Sequence, residues 1–296
     1  MIDFKYHVTA LVAVFLALGI GMLIGSLALG NEFIGNQQEA LINRLEGDFQ
    51  QLRIQNGLTK SELAAAYQEA ETYQAICRQM MPALIKNKLE NYRVVVVQTS
   101  QSKQNNNLSD IISPLEIAGA QVDAVISLAD DFALTQVSST YTQSKLGEEK
   151  SIMELLGEAI ILGDENGVLA DLAAQKLMTI SGETGNSIDA VILVGGSDRE
   201  LDAQVKNLDL ILSDFLTRKG ISVIGVETST VCHSYIPDYQ NHPGKPAATV
   251  DNIDQITGQI SLVYSILGAQ GDFGVKETAD SLLPDLMQNQ FSPFKP

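Results

Sequence analysis

The chain of 296 residues has no tryptophan, only two cysteines and only three histidines. Cys77 and Cys232 form no CxxC pair and join no dense Cys/His cluster, so neither a structural zinc site nor a disulfide framework is indicated. No serine lies in a GxSxG elbow, and only His233 and His242 fall in the second part of the chain, so a hydrolytic triad is not indicated either. We therefore predict a protein that is not an enzyme.

Basic residues are also scarce, with 19 Lys and Arg against 36 Asp and Glu and a net charge of −17. Residues 1–91 carry 7 basic and 9 acidic groups, whereas residues 92–296 carry 12 and 27, a net charge of −15. An acidic surface of this kind repels nucleic acid, which is therefore excluded as a partner. Solubility is the ordinary interpretation of the charge, and weak attraction for cations or for a basic partner is the alternative.

Charge is absent altogether from residues 8–30, whose only hydroxyl side chains are Thr9 and Ser26. A helix of this length rises about 34 Å, which is enough to cross a hydrocarbon core of about 30 Å. We therefore predict a transmembrane helix over residues 8–30 that stays in place as a signal anchor. A cleaved signal peptide is the alternative, because Ser26-Leu27-Ala28 resembles a cleavage site, although the apolar run exceeds the usual length.

The charges that flank this segment predict its orientation. Residues 1–7 contain Lys5 and the terminal amine, whereas Glu32 and Glu39 follow the segment and the next basic residue is Arg44. The positive-inside rule then predicts a single pass through the cell membrane, with residues 1–7 in the cytoplasm. Everything after the helix is predicted to be extracytoplasmic.

Small residues recur every four positions in the apolar segment, at Ala13, Ala17, Gly21 and Gly25. Residues at this spacing share one side of a helix, and small side chains let two helices pack closely in lipid. The stripe predicts a helix–helix interface. The alternative is that Ala and Gly are simply common in transmembrane helices.

Residues 31–90 are predicted to form a coiled-coil stalk, because a seven-residue repeat of apolar residues begins at Ile42. Ten of the twelve a and d positions up to Met80 are apolar. The predicted core includes Ile42, Leu45, Phe49, Leu52, Asn56, Leu63 and Cys77. We predict a parallel homodimer, and the alternative is one amphipathic helix packed on its own domain.

Individual residues refine the prediction of a dimeric stalk. Asn56 at an a position is a residue type that fixes register and strand number. Asp48 would face Arg53 of the partner helix, an attractive pair worth less than about 1 kcal/mol when exposed. Cys77 would lie beside its equivalent, which permits an interchain disulfide outside the cytoplasm. Pro82 is expected to end the regular pattern.

Residues 91–296 are predicted to form an α/β domain with a mostly parallel sheet, because apolar strand patterns alternate with helical ones. The predicted strands are Tyr92–Gln98, Gln121–Leu128, Ile188–Val194 and Ile221–Val226. The predicted helices are Leu108–Ala118, Ile152–Ile161, Val168–Met178, Glu200–Arg218 and Ile253–Leu267. Residues 130–143 and 228–248 are expected to be irregular.

Two short motifs could carry chemistry. Val194-Gly-Gly-Ser-Asp198 joins a strand to a helix, but it lacks the full GxGxxG and the Walker lysine. A tight turn with Ser197 or Asp198 as a helix cap is therefore favoured over nucleotide binding. Cys232, His233 and His242 form the only set with metal-ligand chemistry, and a thiolate with imidazoles suits copper. A buried cysteine with surface histidines is the ordinary alternative.

The opening residues Met1-Ile-Asp-Phe-Lys-Tyr-His-Val8, with Ala13-Val-Phe-Leu-Ala-Leu-Gly-Ile-Gly21 and Gly25-Ser26, resemble the start of the mycobacterial copper transport protein B family. Gly258-Gln259, Leu262-Val-Tyr264, Gly268 and Phe273-Gly274 are similar to the later part of that family. The resemblance implies a role in copper homeostasis or export across the envelope. Its SteB-like branch implies instead a non-enzymatic dimeric scaffold with a partner in envelope assembly or division.

One physical limit applies to both implied roles. A single apolar helix without intramembrane charge cannot make a hydrated path for an ion. If copper crosses the membrane here, a larger oligomer or another protein is expected to supply the pore.

Overall fold

The computed structural model describes residues 4–99, 108–129, 151–198 and 208–287, with only the backbone given for residues 28–37. The chain divides into two compact units, Met1–Thr72 and Tyr73–Pro296. The predicted irregular segment 130–143 and the start of the predicted helix Glu200–Arg218 lie outside the described residues.

The first unit is helical throughout its described length. Helix α1 comprises Phe4–Ile85. Its stretch Phe4–Leu27 is long and apolar enough to cross a membrane, a test that a signal sequence would also pass. The predicted apolar helix is therefore confirmed as a candidate span, starting four residues earlier than expected. From residue 38 to residue 72 the helix presents exposed side chains on all sides.

Pro82 lies inside the last turn of helix α1, near the base of the predicted stalk. Helix α1 continues to Ile85, and the amide of Lys86 still donates to the carbonyl of Pro82 at 2.9 Å. Proline inside a helix removes one hydrogen bond and costs about 3 kcal/mol. The helix continues because Met81 and Ile85, on either side of Pro82, are buried in the core of the second unit.

The second unit is built on one seven-stranded sheet in the order β3-β2-β1-β4-β5-β6-β7. Neighbouring strands are parallel except for the antiparallel pair β2–β3. This mostly parallel sheet confirms the predicted α/β fold. The strands are β1 Arg93–Gln98, β2 Gln121–Leu128, β3 Met178–Gly182, β4 Ala190–Val194, β5 Ser222–Val226, β6 Ala248–Val250 and β7 Gly271–Phe273. The helices are α2 Ser109–Ala118, α3 Ile152–Leu162, α4 Val168–Ala174, α5 Leu210–Arg218, α6 Ile236–Gln240 and α7 Ile256–Ile266.

Strand β1 shows why the sheet is covered on both faces. Val95 and Val97 belong to one apolar cluster, which also contains residues of α3, α4 and α5. Val94 and Val96 point to the opposite face and join a second cluster with residues of α2 and α7. A continuous β-branched run is typical of a strand buried on both sides, and here it produces a helix–sheet–helix arrangement.

The structure contains three strands that the sequence pattern did not predict. The predicted helix Val168–Met178 ends at Ala174, and Lys176 adopts a left-handed conformation with φ of 59°. The chain then reverses into the antiparallel edge strand β3. Strands β6 and β7 have three residues each, which is too short for a periodic signal.

The last turns of α1 belong to the core of the second unit. Met81, Ile85 and Leu89 are buried in the same cluster as α2 and α7. The hydroxyl of Tyr264 donates to the carbonyl of Leu84 at 3.3 Å. The compact unit therefore begins upstream of residue 91, where the sequence pattern alone suggests a boundary.

Candidate functional site

The topological switch point of the sheet lies between the adjacent strands β1 and β4, because the chain leaves β1 towards β2 on one side and later returns to β4 on the other side. In open α/β sheets, ligands bind outside the carboxyl ends of the strands at such a point. Thr99 follows β1 there, and its amide donates to the carbonyl of Val194 at 3.2 Å. We therefore take this edge of the sheet as the first candidate for a site.

Two adjacent glycines at this edge, Gly195 and Gly196, are packed against side chains of the chain itself. A Cβ atom on Gly195 would collide with the hydroxyl of Tyr239 and the ring of Tyr235. Gly196 has a φ of +85°, which a side chain rarely adopts. The close approach that Gly195 allows is thus used by tyrosine side chains of the same domain, whereas a Cβ atom on Gly196 would meet Val231 and Glu227.

Ser197 follows these glycines, and its backbone is paired with the backbone of His233. Its amide donates to the carbonyl of His233 at 3.0 Å, and the amide of His233 donates back to Ser197 at 2.9 Å. These bonds support a structural turn, as predicted. The helix start that Ser197 or Asp198 was expected to cap lies outside the described residues.

A buried acid contacts one of these tyrosines, Tyr239. Asp209 is fully buried, and the hydroxyl of Tyr239 donates to its Oδ2 at 2.5 Å. Burial raises the pKa of Asp209 to about 7, while the hydrogen bonds from Tyr239 and Thr99 act in the opposite direction. Among the described residues, none donates a hydrogen bond to its other oxygen, Oδ1. Asp209 is therefore the described carboxyl group whose protonation the fold affects most.

A second polar cluster lies at the ends of β5 and β6. Glu227 is fully buried and accepts from Ser234 at 2.6 Å, from the amide of Tyr235 at 3.0 Å and from the ammonium of Lys276 at 2.6 Å. Asp251 accepts from the backbone amide of Lys276 at 2.9 Å. These carboxylates are satisfied by the chain itself, so they fasten the segment after β7 over this edge of the sheet.

The predicted copper ligands are not assembled by the structure. Cys232 and His233 are exposed neighbours, whereas His242 is half-buried and its Nδ1 accepts from the amide of Gly244 at 3.1 Å. Within the described ranges, no three His, Cys, Asp or Glu side chains are grouped to hold a metal ion. Copper binding by these residues stays a prediction.

The predicted interface residues all lie on α1. Ala13, Ala17, Gly21 and Gly25 are on the candidate span, and open space surrounds the position of a Cβ on Gly21 or Gly25. The apolar residues of the predicted coiled-coil core are exposed by more than half from Ile42 to Leu63, whereas Cys77 is half-buried and free. Pairing through either set stays a prediction.

Sequence reasoning missed the two buried polar clusters. The only local signal for Asp209 is a charged residue between Leu208 and Leu210, on the apolar face of a predicted amphipathic helix. Its partner Tyr239 lies in a segment that was expected to be an irregular loop, and Lys276 follows an unpredicted strand. Such long-range pairs leave no periodic trace in a single sequence.

Together, the candidate membrane span and the α/β unit indicate a membrane-associated protein. Residues 1–284 match the family described as copper transport outer membrane protein, MctB. The chain belongs to this family, as its opening residues suggested, and it is a membrane protein related to copper transport. No curated protein matches the chain significantly. The match does not favour the alternative role as a division scaffold.

Proposed function

We propose that this protein is a non-enzymatic, single-pass protein of the cell membrane that takes part in copper homeostasis by aiding export across the envelope. The family match over residues 1–284 is the observation that carries this proposal. The basic group of Lys5 before the span, against Glu32 and Glu39 after it, supports a cytoplasmic N-terminus. The α/β domain then works on the far side of the membrane.

The span itself is not the path for copper. Residues 8–30 carry no charge, and Gly21 and Gly25 offer surfaces for close helix packing rather than polar groups for an ion. A hydrated cation needs polar or charged groups along its route. The chain therefore acts beside a separate conducting protein, and its own contribution comes from the domain.

Two features of the domain suit copper outside the membrane. Its segment from residue 92 onward has a net charge of −15, which raises the local concentration of cations. Cys232 and His233 are exposed, and a thiolate with an imidazole suits Cu(I). We propose these two adjacent side chains as a transient contact for the ion rather than as a closed site.

The proposal is tested by the copper content of cells that lack the chain and of the same cells with the chain restored. During growth in added copper, cells without the chain should retain more copper, while their zinc content should stay the same. Restoration with Cys232→Ala plus His233→Ala should be incomplete, whereas the matched change Cys77→Ala should restore export. A reporter fused after Pro296 should be active only outside the cytoplasm. Equal copper content with and without the chain would refute the proposed role.

A further inference from the structure

An exposed apolar face runs along α1 between the candidate span and the second unit. We call the a and d positions from Ile42 to Leu63 the stalk face. Its large apolar members, Ile42, Leu45, Phe49, Leu52 and Leu63, are each exposed by more than half. Burying one such side chain is worth about 1.5–3 kcal/mol, so the stalk face has a strong driving force to become covered.

We propose that the stalk face is covered by the same face of a second copy of this chain, in a parallel and in-register pair. The first argument is periodicity. Helix α1 is continuous through the stalk, and a seven-residue repeat keeps an apolar seam directed at a partner helix that has the same repeat. A second copy of the chain has the same repeat because it has the same sequence.

Asn56 supports an identical partner in the same register. It lies at an a position within the stalk face, where an apolar partner would leave its amide without a hydrogen bond. In an in-register parallel pair, Asn56 meets Asn56 of the other copy, and each amide can donate to the other. This arrangement satisfies both polar groups and disfavours shifted registers.

Charge complementarity also favours the parallel arrangement. In that arrangement Asp48 of each copy lies opposite Arg53 of the other, which gives two attractive pairs by symmetry. No like charges face each other between the g and e positions that flank the stalk face. The pairs are exposed and individually weak, so they select the arrangement more than they stabilise it.

The anchor restricts the direction of pairing independently. The candidate span Phe4–Leu27 lies on the same helix and in the same compact unit as the stalk face. Two copies held in one bilayer therefore extend their stalks from the same side, which favours parallel over antiparallel contact. This pairing does not require copper, so it can hold or fail independently of the proposed function.

Disulfide trapping in membranes tests the pair with the full chain. In a background of Cys77→Ser and Cys232→Ser, L52C at a d position is compared with I54C at an outer position. The two native side chains are equally exposed, at 60% and 59%, so accessibility alone predicts equal cross-linking. We expect oxidised dimers from L52C and only background from I54C. Equal yields, or none from L52C, would overturn the proposal.

A second pair of cysteines tests direction and register. L63C at an a position should also cross-link to itself, whereas S61C at an outer position should not. In an antiparallel pair, position 52 and position 63 cannot both face the same position of the other copy. Cross-linking at only one of these two positions would therefore refute a parallel, in-register pair, even if the chain is dimeric.

Discussion

The two compact units use the same apolar residue types in opposite ways. In Tyr73–Pro296, leucines and valines such as Leu115 and Val96 are fully buried, whereas in Met1–Thr72 residues such as Leu18 and Leu52 are more than half exposed. The second unit completes its hydrophobic core within the chain. The first unit completes its burial in other surroundings, which we propose to be lipid for the span and a second copy for the stalk.

The sharpest test of this comparison uses two phenylalanines, one in each unit. Phe215 is 7% exposed and packs under Gly157, whereas Phe49 is 61% exposed. Phe215→Ala should lower the free energy of unfolding of the domain by about 3–5 kcal/mol, because it leaves a cavity. Phe49→Ala should change the free energy of unfolding of the domain by less than about 0.5 kcal/mol, because Phe49 lies in the other compact unit. Urea unfolding of the detergent-solubilised chain, followed by circular dichroism, measures both, and similar losses would contradict the comparison.

The buried acid of the second unit predicts that the stability of the domain depends on pH. The pKa of Asp209 is raised from 3.8 to about 7, so the folded domain binds a proton more tightly than the unfolded chain does. The stability from this group is fully present below pH 4 and is lost as the pH rises through about 7. A shift of this size corresponds to about 4 kcal/mol at 1.36 kcal/mol per pKa unit.

Asp209→Asn should remove this contribution, because the amide oxygen still accepts from Tyr239 but does not titrate. The free energy of unfolding of the variant should therefore fall less between pH 5 and pH 8 than that of the parent chain. Asp285→Asn, at an exposed position, is the matched control and should keep the parental dependence. An unchanged slope in Asp209→Asn would show that Asp209 does not titrate in this range.

The smallest expected effect concerns the charges beside the stalk face. Asp48→Lys places two lysines opposite the two Arg53 side chains of a parallel pair and should reduce L52C cross-linking modestly, since exposed pairs are worth less than about 1 kcal/mol each. Adding Arg53→Glu restores opposite charges and should restore the yield. If the double variant remains as weak as the single one, the helices do not pair in this register.

The alternation of apolar strands and helices allowed much of the second unit to be predicted from sequence. Strand β2 matches its predicted bounds, and the buried run of valines in β1 correctly indicated a parallel sheet. Strand β3 was missed because the chain turns at Lys176, a residue type that gives no turn signal. Helix α1 continues three residues past Pro82, because burial on both sides of a proline can outweigh its local cost.

The polar clusters were less predictable than the fold. Asp209 meets Tyr239 across 30 positions of sequence, and Glu227 meets Lys276 across 49. Local patterns report which face of a helix or strand is buried, but they do not report which distant polar group completes a pair. The predicted ligand set of Cys232, His233 and His242 rested on residue chemistry alone, and the structure does not bring the three together.

The burial of Met81, Ile85 and Leu89 has a practical consequence for producing the domain by itself. A soluble fragment that starts at residue 91 would lack these three apolar side chains, and it would expose the surfaces of α2 and α7 that they cover. Such a fragment is expected to aggregate. A fragment that starts at Tyr73 retains them and leaves the anchor behind.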